Sequence, residues 1–142
     1  AGRLVERPGP HGSLLIDDSY NANPGSFDAA FAVLRSRGER RWAVVGEMGE
    51  LGESTAGAHR GLGEAARAAG IERLWAYGPS AGSTREGFGA GAEEIEDLDA
   101  LAARLDETLE AGVALLVKGS RSNRLERLVE ALAARRTAGE GG

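Results

Sequence analysis

The sequence predicts an α/β domain in which helices cover both faces of a mostly parallel sheet. Two observations support this fold class. Short apolar runs typical of buried strands alternate with amphipathic helical patterns along the whole chain. No internal repeat and no long linker divides the 142 residues, a length that suits one domain with a core of its own. We therefore expect three layers in one unit.

The first elements are a strand and a capped helix. Leu14–Ile16 is a short apolar run typical of a buried strand. Asn23 followed by Pro24 is a natural N-cap and first-turn pair. The helix that follows is indicated by apolar side chains at i, i+3, i+4 and i+7, namely Phe27, Ala30, Phe31 and Leu34.

The same alternation continues to the end of the chain. The sequence predicts strands at 42–45, 74–77, 92–95 and 113–117, and helices near 56–69, before 92, at 98–109 and at 125–132. Gly70 is in the usual position after a helix. The alternating residues Arg3–Glu6 suit an antiparallel edge strand, and the tail from Thr137 is expected to be frayed or disordered.

Composition excludes several classes of protein. The formal net charge is −5, with 22 acidic and 17 basic side chains, which argues against a general nucleic-acid or anionic-membrane binder. There is no cysteine, no apolar run of about 18 residues and no visible signal peptide, so we expect a cytoplasmic domain. The chain opens Ala1-Gly2-Arg3, and its single methionine is Met48, so we expect it to be part of a longer protein.

Four loops follow the predicted strands, at 17–24, 46–52, 77–80 and 118–122. Ligands of open α/β sheets bind at the carboxyl ends of the strands, so these loops are the candidate site. They hold the only lysine, the only methionine, both tyrosines and two of the three asparagines. Turn chemistry alone also places Gly, Asn and Ser at strand ends, and the residues do not decide between these interpretations.

Each loop has a structural and a functional interpretation. Asp17 and Asp18 suit a helix N-terminus, and a strand-end carboxylate also suits ribose hydroxyls. The acidic loop around Glu47 is either a plain connection or a site for a substrate ammonium. The loop after Lys118 is either a helix entry capped by Ser122 or Asn123, or an anion site. His59 is predicted to be structural.

Lys118 is the only lysine beside sixteen arginines. A chain that uses arginine as its general surface cation has a lone lysine either by chance or where a compact ammonium is needed. No metalloprotease HExxH motif, no G-x-S-x-G nucleophile elbow and no G-x-x-x-x-G-K-[ST] phosphate loop occurs in the chain.

Three motifs in order resemble the C-terminal domain of the Mur ligases, and within that family the branch that adds D-alanyl-D-alanine. They are Asp17-Asp18-Ser19-Tyr20-Asn21-Ala22-Asn23-Pro24, Val44-Val45-Gly46-Glu47-Met48-Gly49-Glu50-Leu51-Gly52 and Leu116-Val117-Lys118-Gly119-Ser120-Arg121. The resemblance covers nearly the whole chain and implies that 1–142 is this C-terminal domain. It also implies a Rossmann-like fold of six strands, the first antiparallel.

The resemblance implies a bacterial, ATP- and Mg²⁺-dependent ligase of cell-wall synthesis, with upstream domains that bind the UDP-precursor and hold the phosphate loop. Such an enzyme joins D-alanyl-D-alanine to UDP-N-acetylmuramoyl-tripeptide through an acyl phosphate. Implied nucleotide-side residues are Arg3, Asp18, Tyr20 and Asn21. Implied dipeptide-side residues are Glu47, where aspartate is the more usual residue, and Ser80, Lys118, Gly119 and Arg121. No catalytic residue and no metal ligand is expected within this chain.

Three alternatives remain. A sibling Mur ligase with another amino-acid substrate is the nearest. A phosphorylation-receiver domain shares the α/β pattern, but its middle strands should be followed by an acceptor aspartate, whereas Gly46-Glu47 and Tyr77-Gly78 follow them here. A free-standing nucleotide-binding module is disfavoured because the phosphate loop and an initiator methionine are missing.

Overall fold

A computed structural model describes residues 4–20, 22–49 and 51–141, with side chains in the last helix described up to Arg135. The strands are β1 Val5–Pro8, β2 Leu14–Asp18, β3 Arg40–Val45, β4 Arg73–Tyr77, β5 Ala92–Ile95 and β6 Val113–Lys118. The helices are α1 Pro24–Arg35, α2 Thr55–Ala68, α3 Ala81–Phe88, α4 Leu98–Thr108 and α5 Glu126–Gly141. Short 3₁₀ turns lie at Pro10–Gly12, Gly52–Ser54 and Arg121–Asn123.

The six strands form one sheet in the order β1-β2-β6-β3-β4-β5. β1 is antiparallel to β2, and all other pairs are parallel. The predicted three-layer fold with an antiparallel edge strand is therefore confirmed. Because β6 returns to lie between β2 and β3, the loops after these three strands are neighbours at one edge of the sheet, where such folds bind ligands.

Side chains that alternate along the strands build two cores. On one face Ile16, Ala43 and Leu116 pack with apolar residues of α1, α2 and α3. On the other face Leu15, Trp42 and Leu115 pack with α4 and α5. Successive side chains of a strand point to opposite faces of the sheet, and helices cover both faces. The central strands are therefore almost continuous apolar runs in the sequence.

The N-terminus of α1 has the predicted cap, whereas the start of α5 differs from the cap considered for it. Asn23 caps α1 by accepting from the Ser26 backbone N–H at 2.9 Å, and Ser26 Oγ accepts from the Asn23 N–H in return. One of the two interpretations of the loop after Lys118, a cap of the last helix at Ser122 or Asn123, is wrong. Those residues belong to a 3₁₀ turn that Arg124, at φ 54°, separates from α5.

The tail also differs from the prediction, because α5 continues as helix through Gly141. The alanines and arginines that precede Thr137 have high helix propensity, which favours continuation of the turn already nucleated. Within the described ranges, no helix has the length and apolarity needed to cross a membrane.

Candidate functional site

A buried ion pair lies where β2 and β6 end. Asp18 and Lys118 are partners in the parallel register, so their side chains emerge on the same face of the sheet. Lys118 Nζ lies 2.5 Å from Asp18 Oδ2, and the two side chains are 1% and 6% exposed. The ammonium also lies 5.2 Å from the centroid of the Phe27 ring. Lys118 was expected to face a dipeptide, yet in this conformation its ammonium faces Asp18.

The second carboxylate oxygen of Asp18 takes no part in this ion pair. Within the described part of the chain, Oδ1 of Asp18 is buried without a hydrogen-bond partner. Burial raises the pKa of Asp18 above its ordinary value of 3.8, and the hydrogen bond and charge of Lys118 offset part of that rise. A buried acceptor without a donor is costly, so this oxygen is suited to receive a hydroxyl or N–H from a ligand.

The raised pKa gives a stability prediction. The folded chain holds the Asp18 proton more tightly than the unfolded chain, so deprotonation favours unfolding. The unfolding free energy of the wild type minus that of Asp18→Asn should fall as the pH rises from 3.8 through the raised pKa, and then level off. Urea unfolding across this pH series measures the difference. A difference that increases with pH would show that Lys118 outweighs burial.

Glu47, two residues after the end of β3, is held by residues from two neighbouring loops. Its Oε1 accepts from the Ser80 backbone N–H at 2.8 Å, and its Oε2 accepts from Ser80 Oγ at 2.5 Å. Its own backbone N–H donates to Asn123 Oδ1 at 3.1 Å. Its carbonyl accepts from Asn123 Nδ2 at 3.0 Å and from the Ser120 N–H at 2.9 Å. The carboxylate therefore has a fixed position at the sheet edge.

Glu47 is on the wall of an open cleft of about 600 Å³, which we call the Glu47 cleft. The other residues of its wall come from the ends of β4 and β5, the 3₁₀ turn and the start of α5: Tyr77, Gly78, Pro79, Ile95, Glu96, Ser122, Asn123 and Arg127. The wall thus includes the carboxylates of Glu47 and Glu96 and the guanidinium of Arg127. Such a distribution of charge suits a zwitterion.

The loops approach each other closely because glycines line their contacts. A Cβ at Gly119 would lie 2.8 Å from Leu125 Cδ1 and 3.0 Å from the Gly46 Cα. Gly78 has φ 109°, and a Cβ there would lie 3.1 Å from Glu47 Oε1. Gly119 therefore contacts other loops, and its predicted role toward a dipeptide stays a prediction.

The predicted residues fall into neighbouring groups. Glu47 and Ser80 are bonded to each other, whereas Lys118 pairs with Asp18. The Arg121 guanidinium lies 4.7 Å from the centroid of the half-exposed Tyr20 ring, so it contacts the predicted nucleotide side. Arg3 and Asn21 lie outside the described residues.

Sequence reasoning missed three polar residues of the Glu47 cleft. The sequence suggests Asn123 only as a helix cap, although it is the third of three asparagines in the chain, and this rarity is the available signal. Glu96 and Arg127 carried no signal, because charged residues at helix ends are ordinary surface chemistry. Among the described residues, no group of three or more His, Cys, Asp or Glu could hold a metal ion.

Comparisons with known proteins identify the family of this chain. A family profile described as "Mur ligase, glutamate ligase domain" matches residues 2–121. The chain belongs to the Mur ligase family. This Mur ligase chain is 42% identical over 133 residues to the UDP-N-acetylmuramoyl-tripeptide–D-alanyl-D-alanine ligase of Escherichia coli K12, covering 92% of the chain and 29% of that relative. The ligase of the same name from Treponema pallidum is 37% identical over 117 residues, covering 78% and 26%.

Solved structures give the same family. The MurF ligase of Thermotoga maritima in complex with ADP has a TM-score of 0.78 and 29% identity, and the match covers 92% of this Mur ligase chain and 30% of that one. A 2,6-diaminopimelate ligase has a TM-score of 0.64 at 16% identity, which shows likeness of fold alone. The chain spans 26–30% of the length of the three relatives named with their organisms.

Proposed function

We propose that this chain is the C-terminal domain of the ATP-dependent ligase that adds D-alanyl-D-alanine to UDP-N-acetylmuramoyl-tripeptide. The observation that carries the proposal is the immobilised Glu47 carboxylate in a cleft at the carboxyl edge of the sheet. The 42% identity to the E. coli ligase over most of the chain supports this particular substrate. The upstream domains, cytoplasmic location and role in cell-wall precursor synthesis belong to the same proposal.

The dipeptide would bind in the Glu47 cleft. D-alanyl-D-alanine is a zwitterion at neutral pH, and its ammonium needs an anion that does not move. Glu47 offers one, because Ser80 holds both carboxylate oxygens. Arg127, on the wall of the same cleft, offers a cation for the dipeptide carboxylate. Lys118 ends β6, and Gly119 and Arg121 follow it just before the cleft residues Ser122 and Asn123 in the chain, so they would assist from there.

The nucleotide would lie on the other side of that loop, near Asp18 and Tyr20. The buried Asp18 Oδ1 without a partner among the described residues fits a ribose hydroxyl, which would supply the missing donor. Tyr20, half exposed and stacked with Arg121, would line the approach. Arg3 and Asn21 complete the proposed nucleotide side. Mg²⁺ would be held mostly by the central domain.

The chemistry needs an activated acid, since a carboxylate does not react usefully with an amine at neutral pH. ATP supplies that activation by phosphorylating the tripeptide carboxylate. The residues of this chain would hold the dipeptide amine next to the activated carbon and exclude water, which is the usual contribution of domain closure.

A chimera tests the proposal. This chain replaces the matching 29% of the E. coli ligase, and ADP release is measured with D-alanyl-D-alanine. Diaminopimelate, D-glutamate and L-alanine, each with its own UDP-precursor, test the sibling alternatives. We expect turnover with D-alanyl-D-alanine alone. A folded chimera that prefers another amino acid would assign the chain to a sibling ligase.

The 142-residue chain by itself is expected not to hydrolyse ATP or form the amide bond. It contains no G-x-x-x-x-G-K-[ST] phosphate loop to hold the transferred phosphoryl group. A steady-state assay with Mg²⁺ on the purified chain measures this. Turnover above the background of a Glu47→Gln, Asp18→Asn double variant would contradict the proposed division of labour.

A further inference from the structure

His59 is a buried histidine on α2 whose ring reaches the loop after β3. Its side chain is 1% exposed. Nε2 lies 2.9 Å from the backbone nitrogen of Met48, which can only donate. Nδ1 lies 2.7 Å from the carbonyl oxygen of Thr55, which can only accept. Nε2 must therefore be the acceptor and Nδ1 must carry the hydrogen, so these partners select the neutral Nδ1–H tautomer.

The tautomer matters because the Glu47 carboxylate is close by. Glu47 Oε2 lies 3.8 Å from His59 Nε2, too far for a hydrogen bond, and both atoms are acceptors. The neutral ring therefore leaves Oε2 to Ser80 Oγ. A cationic side chain at position 59 would pair with Glu47 and draw it away from the cleft.

We propose that His59 is a positioning residue of the Glu47 cleft. It holds the Met48 N–H, and with it the backbone next to Glu47, while leaving the carboxylate available to a substrate ammonium. An apolar residue of similar size would fill the space but leave the Met48 N–H unsatisfied, and a cation would compete with substrate. The effect of His59 on substrate binding rests on the proposed function, whereas its hydrogen bonds to Met48 and Thr55 do not depend on it.

The first test uses the 142-residue chain and needs no substrate. Glutamine at position 59 can still accept from Met48, whereas phenylalanine cannot. We expect His59→Phe to speed exchange of the Met48 amide hydrogen about tenfold, as the loss of one hydrogen bond implies, and His59→Gln to stay within about threefold of the wild type. Nitrogen-15 shifts of the ring should report the Nδ1–H tautomer.

The second test uses the chimera with the E. coli ligase. We expect His59→Phe to raise KM for D-alanyl-D-alanine about tenfold with less than about a twofold change in kcat. We expect His59→Gln to keep KM close to the wild-type value. Leu62→Val, a buried change on the same helix, is the control for loosened packing and should leave KM unchanged.

The outcomes separate the two proposals. Equal exchange of the Met48 amide in the phenylalanine and wild-type chains, or equal failure of the glutamine and phenylalanine variants, would overturn the role of His59. A different result is a wild-type chimera that shows no turnover with D-alanyl-D-alanine while the Met48 amide exchanges as expected in the wild type and both variants. That result would overturn the proposed function, and with it the effect of His59 on KM.

Discussion

Lys118→Met is expected to lower the free energy of unfolding by about 3–5 kcal/mol, the usual cost of removing one partner from a buried ion pair. Methionine fills much of the volume beside Phe27 but leaves the Asp18 carboxyl buried without its ammonium. The expected loss is large because both side chains are nearly inaccessible to water. Urea unfolding of the 142-residue chain at neutral pH measures it.

A double variant separates the charge from the packing. Asp18→Asn combined with Lys118→Met removes both charges, so we expect it to recover most of the lost stability. Arg60→Met, at an exposed pair with Glu86, is the control and should change stability by less than about 0.5 kcal/mol. A Lys118→Met variant as stable as this control would contradict the interpretation of Lys118 as a buried counterion.

The fold was predictable because its signals are local. Apolar runs at 14–16, 42–45 and 113–117 are buried strands, and the i, i+3, i+4 pattern from Phe27 to Leu34 is the buried face of α1. Period and capping chemistry are properties of neighbouring residues, so one sequence contains them. The interpretation of Ser122 or Asn123 as the cap of α5 failed for another local reason, because left-handed backbone at Arg124 has no sequence signal when the residue is not glycine.

Which site residues would touch each other was less predictable. Lys118 stood out by its rarity, but its partner Asp18 is 100 positions away and meets it only through the β2–β6 register. The topology that puts β6 between β2 and β3 decides that register. A sequence pattern therefore identified the residue but not the direction of its ammonium.

The Glu47 cleft shows the same limit. Glu47 and Ser80 were predicted together on the strength of a family resemblance, and the structure joins them by two hydrogen bonds. Asn123 was missed, because an amide that bonds backbone groups 76 positions away looks like any turn residue in sequence. Residues that hold other residues in position carry weaker sequence signals than residues with unusual charge.

Asn123→Ala is expected to lower the free energy of unfolding by about 2–3 kcal/mol and to loosen the loop that carries Glu47. The amide accepts from the Glu47 N–H and donates to the Glu47 carbonyl and to Ser120, so alanine leaves a partly buried donor without its acceptor. Asn123→Asp keeps the acceptor for the Glu47 N–H but loses the donor and puts a negative charge against two carbonyl oxygens. It should therefore also destabilise the chain.

Hydrogen exchange distinguishes loosening of this loop from a general loss of stability. In Asn123→Ala the Glu47 amide hydrogen has lost its acceptor and can exchange without global unfolding. We therefore expect its exchange rate to be about tenfold higher than the rate calculated from the variant's global unfolding free energy. In Asn123→Asp the Glu47 amide hydrogen should exchange no faster than that variant's own global unfolding allows, because the acceptor Oδ1 is retained. Ser122→Ala, at an exposed hydroxyl in the same 3₁₀ turn, is the matched control and should leave the Glu47 amide unchanged. Equal protection of that amide in the alanine variant and this control would show that Asn123 does not hold Glu47 in position.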